Sequence, residues 1–594
     1  NRLGLEHEVP KPWNEVRYQQ KTAEIWGRTI QFADSALPEQ VENQQEFMLL
    51  EPLRFVYESD KGQPVTLQPV QDSLKILEQY PDYLVLSGQA AAPGLLAVIR
   101  TELWFEGFMK ITVDFDGSDE LQVLTLSLIA PFNPEVMGPD YVLPFSGYAP
   151  ELIRATWGQA TRDRKFAHST FFSISGKKCS LMFLSECPEN WLLQRRSAVY
   201  QLFPGEDDFT FQVNFIDVYR KTTVSKRRIE FGLVWGPARP SRPDWRRYTA
   251  LWWEARPDRV KKVSQLGLKP LVTVWPFSLK GEVYSEKNLH KRHGEEMARA
   301  YARASRVSFN IPLPENPDAY SQWLAETRAA GGLITPYVNA DNFDPEKGAG
   351  SQYKEEWSGK PLPETIDRHG NGFAPQSGAY VCFQSQSWAD YYVYTLTEAM
   401  KTWKYEGYYI DNCGSHPCKN PNHLKSHQPY QDSFGKNWER DPLFTARMLY
   451  LRLYRAILKV NPDAVFYVNG GFYYPFWDFS LTAEYLSRLA GNEQIWPEFV
   501  TVADTKGDFF SGRQSGTRKM LMAQYSGKSA GDKLPTRSTI AATIPGDLAV
   551  HWEVTGSSQA FLDFDALKAK FRIWDAEWIP HWENKDYLNT SAEN

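Results

Sequence analysis

Cysteine is scarce in this chain: Cys179, Cys187, Cys382, Cys413 and Cys418 are the only five in 594 residues. An odd, sparse set is no disulfide framework, so the fold has to rest on packed cores. No apolar run approaches the ~18 residues that a membrane helix needs, which excludes a helical span. No G-x-G-x-x-G fingerprint occurs, which argues against a nucleotide-binding fold. The net charge of −6 is small and of the wrong sign for nucleic acid or an anionic membrane surface. The opening Asn1-Arg2-Leu3-Gly4 has neither an initiator Met nor a signal peptide and reads as a processed or trimmed start.

What the chain has in quantity is apolar and aromatic side chains. Hydrophobic residues make up 42%, ample for large cores, and the length suggests about three to four units. Aromatics reach 14%, with 21 Trp and 30 Tyr. Large cores account for most of them, but such rings also stack on the apolar faces of sugars.

The two halves carry different periods. Residues 1–237 are strand-like. Leu95–Arg100 and Met109–Phe115 are strand-like runs between Gly, Pro and Asp turns, and Leu121–Leu128 and Phe209–Phe215 alternate apolar and polar positions over most of their length, which predicts an antiparallel β-sandwich. Three prolines within Pro237–Pro243 favour an extended connector. From residue 238 to 594, helical stretches alternate with short apolar strands. Candidate strands are Pro270–Trp275, Val307–Ile311, Leu333–Asn339, Gly407–Asp411, Ala464–Asn469, Phe479–Glu484, Lys519–Tyr525 and Leu548–Trp552. Eight strands over this length predict a (β/α)8 barrel. The last helix and the Phe571–Trp582 stretch leave a further C-terminal module as an open expectation.

A parallel barrel presents its chemistry at the C-terminal ends of its strands. Asp411 ends the fourth predicted strand and Glu484 the sixth. Two carboxylates across a sugar are the apparatus of glycoside cleavage, one as nucleophile or stabiliser, the other as proton donor. Asp411 is assigned the first role and Glu484 the second; Asp478 and Asp547 are substitutes for Glu484. The alternatives are bland: Asp411 caps a turn or pairs with an arginine, and Glu484 opens a helix. Trp275, Asn339, Asp341, Asn412, Asn469, Tyr473, Tyr525, His551 and Trp552 also lie near strand ends and are assigned, with Asp478 and Asp547, to substrate binding.

Cys413, His416, Cys418, His423 and His427 fall within fifteen residues. Thiols and imidazoles match the softness of zinc, and Cys413, His416, Cys418 and His423 are the expected ligands of a structural ion. The order Cys-x2-His-x-Cys-x4-His is not a standard finger spacing. A polar loop with unpaired thiols and sugar-contacting histidines is the other reading. No cofactor is expected in the cleavage step.

The chain resembles a family of glycoside-hydrolase-like proteins that join an N-terminal β-sandwich to a (β/α)8 barrel and are distantly related to family 123 glycoside hydrolases. The resemblance covers most of the chain. It rests on Phe183–Trp191, on Phe231–Pro240 at the junction, on the Tyr409-Ile410-Asp411 strand end and on Phe571–Trp582. Family 123 catalysis uses an adjacent Asp-Glu pair, with attack by the substrate's acetamido group. Here the matching pair is Asp411-Asn412, and asparagine cannot donate a proton as a carboxylic acid does. Ile410-Asp411-Asn412-Cys413 is similar instead to the nucleophile strand of family 27 and 36 α-galactosidases. The resemblance implies a glycoside hydrolase acting on an oligo- or polysaccharide, with retention preferred. From that function class a secreted or periplasmic location is expected, and the sandwich could serve as an oligomer interface or narrow the cleft. The rival readings are a non-catalytic carbohydrate-binding protein on this scaffold and a metal-dependent hydrolase or lyase built on the Cys413–His427 loop.

Overall fold

The computed structural model describes the chain apart from residues 60–62, 138–140, 147–148, 151–152, 155–163, 177, 205–208, 252–256, 274–316, 344, 346–347, 362–378, 412, 470–473, 482–515, 523–543, 545–546, 548, 553–557 and 580–594. The N-terminal part is an almost wholly antiparallel sandwich of sheets. Its long central strands are Tyr83–Ala92, Leu95–Trp104, Phe108–Gly117 and Arg227–Gly236 in one sheet, and Arg54–Glu58, Gln122–Phe132 and Phe209–Thr223 in the other. Leu95–Trp104 alternates buried and half-buried positions over its whole length, as a strand with one face on a core must. Phe115 meets Phe55 at 5.2 Å and Phe231 meets Phe215 at 5.7 Å across the layers. Buried rings of this size each contribute about 1.5–3 kcal/mol.

The second part is a closed barrel of eight parallel strands: β1 Tyr248–Leu251, β2 Lys269–Val272, β3 Leu333–Ile334 continuing in Tyr337–Asn339, β4 Gly407–Asp411, β5 Val465–Val468, β6 Phe479–Leu481, β7 Arg518–Met522 and β8 Ala549–Trp552. Closure is visible in the register, with Thr249 of β1 opposite Val550 of β8. Pro336 divides β3. Lacking an N–H, it cannot continue the ladder. The half before it pairs with β2 and the half after it with β4.

Two strand assignments from sequence change here, and the changes cancel. Tyr248–Leu251 is the first strand, hidden in sequence by its closeness to the prolines of the connector. Val307–Ile311 lies outside the described residues, and among the described residues Leu271 of β2 is directly opposite Leu333 of β3. Asp411 therefore still ends the fourth strand.

The described helices of the barrel part are α1 Pro257–Gln265, α2 Pro317–Ala329, α3 Gly348–Trp357, α4 Gln386–Trp403, α5 Leu443–Val460 and α6 Ser558–Lys570. None is long and apolar enough to cross a membrane. α4 feeds β4. It is capped by the Ser385 hydroxyl, which accepts from the Trp388 amide, and ends at Lys404 with φ +55°. Glu406 then ties the entry down: its carboxylate accepts from the Ile334 amide at 2.8 Å and from Arg328 Nε at 2.7 Å. At Gly407 a Cβ would run into the Val465 carbonyl, so the β4–β5 approach requires glycine.

α5 lies against the sandwich. Arg447 pairs with the buried Glu106 there, and Arg455 Nη2 donates to Asp82 Oδ2 at 2.6 Å. The loop between β4 and α5 is held from the same side. Arg440 pairs with Glu189 at 2.7 Å, Arg196 with Asp432 at 3.2 Å, and the Phe444 amide donates to Glu186 Oε1 at 2.8 Å. Glu186 and Glu189 belong to the Phe183–Trp191 stretch that carries the family resemblance, so that stretch is where the sandwich grips the barrel.

Candidate active site

Along β4 side chains alternate between the two faces. Tyr408 and Ile410 join the core shared with the helices, while Tyr409 joins the barrel interior with Tyr337, Tyr467, Leu271, Val465 and Met520. Asp411 is two positions beyond Tyr409 and so follows the inward face to the barrel mouth. Tyr409 and Tyr467 stack at 4.7 Å, and Tyr337 meets Tyr409 edge-on at 5.5 Å. The interior just beneath Asp411 is thus filled by tyrosine.

Three donors converge on this carboxylate. Tyr337 Oη donates to Oδ2 at 2.5 Å, Asn469 Nδ2 to Oδ1 at 2.9 Å, and Tyr409 Oη to Oδ1 at 3.3 Å. All three are neutral. These three bonds orient the carboxylate at the mouth. Burial, then the Asp411 charge, pushes the Tyr337 hydroxyl well above its ordinary pKa, so it stays protonated and donating.

Beside Asp411 lies a second polar group. Asn339, opposite Asp411 in the β3–β4 register, accepts from the Asp341 amide at 3.0 Å. The buried Asp341 carboxylate accepts from Asn342 Nδ2 at 3.0 Å and pairs with His416 Nε2 at 2.7 Å. The structure therefore brings together Asn339, Asp341, Asp411 and Asn469 among the residues assigned from sequence. It adds Tyr337 and Tyr409, which the assignment missed. The signal was available: each tyrosine stands two positions before an assigned strand-end residue and so shares its face.

Asp478 and Asp547 belong elsewhere. Each precedes its strand and so lies at the N-terminal end of the barrel, opposite the mouth. Asp478 is buried against Arg239 at 2.7 Å and accepts from the Phe466 amide at 2.9 Å. Asp547 receives two 2.7 Å bonds from Arg246. As partners of arginine at the barrel floor they are structural, which corrects their assignment to substrate and to the acid role. His551 and Trp552 form the end of β8. Trp275, Asn412, Tyr473, Glu484 and Tyr525 lie outside the described residues. In the chain Glu484 follows the last residue of β6 by three positions.

The metal-ligand set also changes. Ligand atoms of Cys382, Cys418, His423 and His427 lie within 4.8 Å of one another. Cys413 is not among them: it is wholly buried in the core, its amide donates to the Asn469 carbonyl at 2.7 Å, and burial pushes its thiol well above the ordinary pKa. His416 is engaged with Asp341. Cys382, 36 positions before Cys418, was missed because sequence proximity was the criterion. The neighbouring Cys382 thiol holds the Cys418 thiol below its ordinary pKa. A cleft of about 240 Å³ lined by His7, Asp82, Tyr83, Arg100 and Arg455 lies at the α5 seam, away from all of these groups.

Comparison with known proteins adds the following. Residues 16–167 match the family model of glycoside hydrolase 123, third domain, and residues 238–441 match a domain of unknown function, DUF6259. No curated protein matches the chain. Similar solved structures include GH36 alpha-galactosidase AgaB from Geobacillus stearothermophilus, at 10% identity and a TM-score of 0.43, covering 94% of this chain and 86% of that one. The alpha-galactosidase from Lactobacillus brevis matches at 10% identity and a TM-score of 0.42, over 95% and 84%. Protein lmo2446 from Listeria monocytogenes matches at 10% identity and 0.42, over 92% of this chain and 52% of its own.

Proposed function

We propose that this chain is a glycoside hydrolase that cleaves a glycosidic bond in an oligo- or polysaccharide, with Asp411 as nucleophile or stabiliser and Glu484 as acid/base. The observation that carries the proposal is the setting of Asp411. It is an acid at the C-terminal end of a barrel strand, held by two phenols and an amide. That arrangement fixes the direction of a carboxylate at the place where a barrel presents its chemistry. The match of residues 16–167 to a glycoside hydrolase family model supports the same class.

In this scheme Asp411 attacks the anomeric carbon while Glu484 protonates the leaving oxygen, and Glu484 then activates the water that releases the sugar with retained configuration. Asn339, Asn469 and the Asp341–His416 pair read sugar hydroxyls at the rim. The reaction needs no metal or organic cofactor, because both proton transfers run on carboxyl groups. Residues 1–237 form the sandwich unit and 238–594 the catalytic one, in a secreted or periplasmic protein.

The test is a panel of aryl glycosides and polysaccharides, run with the native protein, Asp411→Asn and Glu484→Gln. Reducing sugar released by the native protein and lost in both variants is the expected result. Release that persists in Asp411→Asn would remove the nucleophile assignment, and binding without release by all three proteins would favour the non-catalytic carbohydrate-binding reading. The anomer first formed, followed by NMR, distinguishes retention from inversion.

A further inference from the structure

We propose that Cys382, Cys418, His423 and His427 bind a zinc ion that staples the loop behind β4 to the segment between the strand Ala379–Tyr380 and α4. The four ligand atoms come from segments far apart in sequence. Cys382 lies just beyond the short strand Ala379–Tyr380 and before the α4 cap, while the other three lie on the loop that follows Asp411. Cys418 Sγ is 3.3 Å from His423 Nδ1, and Cys382 Sγ is 3.7 Å from His427 Nδ1. A tetrahedral zinc with ordinary Zn–S and Zn–N bonds sets these edges at about 3.3–3.8 Å. All four atoms already lie within 4.8 Å of one another, so the widest pair has to close by about 1.5 Å at most.

The imidazole of His423 is set for coordination. Its Nε2 lies 3.1 Å from the Glu355 carbonyl, which only accepts, and 3.3 Å from Asn420 Nδ2, which already donates to the Ser358 carbonyl at 2.8 Å, so the shorter contact places the hydrogen on Nε2. Nδ1 is then an unprotonated nitrogen aimed at Cys418. A metal-bound histidine typically donates its other N–H to a backbone carbonyl in this way. Both thiols are buried and both imidazoles half-buried, as in a closed structural site with no position left for substrate. Binding exchanges the thiol protons for Zn²⁺, and those protons leave to solvent.

The ion would tie together what otherwise meets through single bonds. Asn420 Nδ2 donates to the Ser358 carbonyl at 2.8 Å, and the Lys419 amide donates to the Gly359 carbonyl at 2.6 Å. The same loop carries His416 onto Asp341 at the mouth. Zinc here is a fastening for that rim, and it is independent of whether the cleavage proposal holds.

The experiment measures metal in the full-length protein, purified without chelator, by elemental mass spectrometry. About one zinc per chain is expected. It is lost in Cys418→Ser and His427→Ala and kept in His416→Gln and Cys413→Ser. Because ligand variants can unfold, the native protein is also stripped and refilled with Co²⁺. Intense tetrahedral bands with a thiolate charge-transfer feature are the expected signature. Well under one zinc per chain even after incubation with Zn²⁺, retention of zinc by Cys418→Ser, six-coordinate cobalt spectra, or a Cys382–Cys418 disulfide in the native protein would each overturn the proposal.

Discussion

The two ends of the barrel treat their acids in opposite ways. At the floor, arginines from the Pro-rich connector and the residues after it meet Asp478 and Asp547. Arg239 and Arg242 face Asp478, and Arg246 takes Asp547, with Trp245 between them under the barrel. Arg518 lies over the Trp245 ring at 4.5 Å. At the mouth, the donors to Asp411 among the described residues include two phenols and an amide. A carboxylate buried with an arginine is neutralised and serves the fold. A carboxylate aimed by phenols and an amide at a strand's C-terminal end is oriented for something that arrives. Position along a strand, before it or after it, separates the two kinds, because a parallel barrel points every strand start to one end.

That contrast is tested most sharply by exchanging the same chemistry at both ends. Asp411→Asn is expected to lower kcat on the order of a thousandfold or more, as loss of a central catalytic group does, with little change in melting temperature. Asp478→Asn is expected to do the reverse. Leaving Arg239 buried without its charge partner costs about 3–5 kcal/mol, read as a drop in Tm or in denaturation midpoint. Its kcat at a temperature where it stays folded should match the native value. A catalytic defect in Asp478→Asn with intact stability would break the distinction between floor and mouth.

The distinction was half legible in the sequence. Asp411 could be found because a short apolar run ends on it, and period-two patterning names its face. The same patterning reaches Tyr337 and Tyr409, but only once the partner strand is known. Asp478 was misplaced although the predicted strand already began one residue after it, because its partner Arg239 lies more than two hundred positions away in the connector. The connector looked like a tether because proline dominates it. Its arginines became meaningful only through strand starts far along the chain. The thiol–imidazole cluster was found in part, since His423 and Cys418 are local, whereas Cys382 joins through the fold.

The seam between sandwich and barrel offers a third kind of acid, with no full charge partner. Burial pushes the Asp441 carboxyl up to about 7, against a lowering hydrogen bond from Ser415, and the nearby Glu186 raises it further. A carboxyl whose folded pKa exceeds its unfolded value is stabilised in the protonated form. Its contribution is full below the unfolded value of 3.8 and is lost as pH rises towards about 7, since the unfolded chain releases the proton first. Asp441→Asn keeps the acceptor for Ser415 and removes the titration. The difference in unfolding free energy between variant and native protein should therefore grow with pH over that window, by about 3 kcal/mol in the variant's favour. A pH-independent difference would show that Asp441 is ionised throughout.

The smallest effect is expected from the donors at the mouth, and it bears on how the mouth works. Tyr337→Phe removes the 2.5 Å bond to Asp411 Oδ2 and leaves Asn469 and Tyr409 on Oδ1. A hydrogen bond to a charged group is worth about 1.5–3 kcal/mol. If the phenol chiefly orients the carboxylate for attack, kcat falls roughly 10- to 100-fold while KM changes little, because the sugar does not touch that hydroxyl in the ground state. If it chiefly stabilises the resting anion, the variant's carboxylate is more reactive and kcat rises. Steady-state kinetics on an activated aryl glycoside, where leaving-group protonation matters least, separates the two. A fall marks the tyrosines as part of the reacting geometry, and a rise marks them as a brake on it.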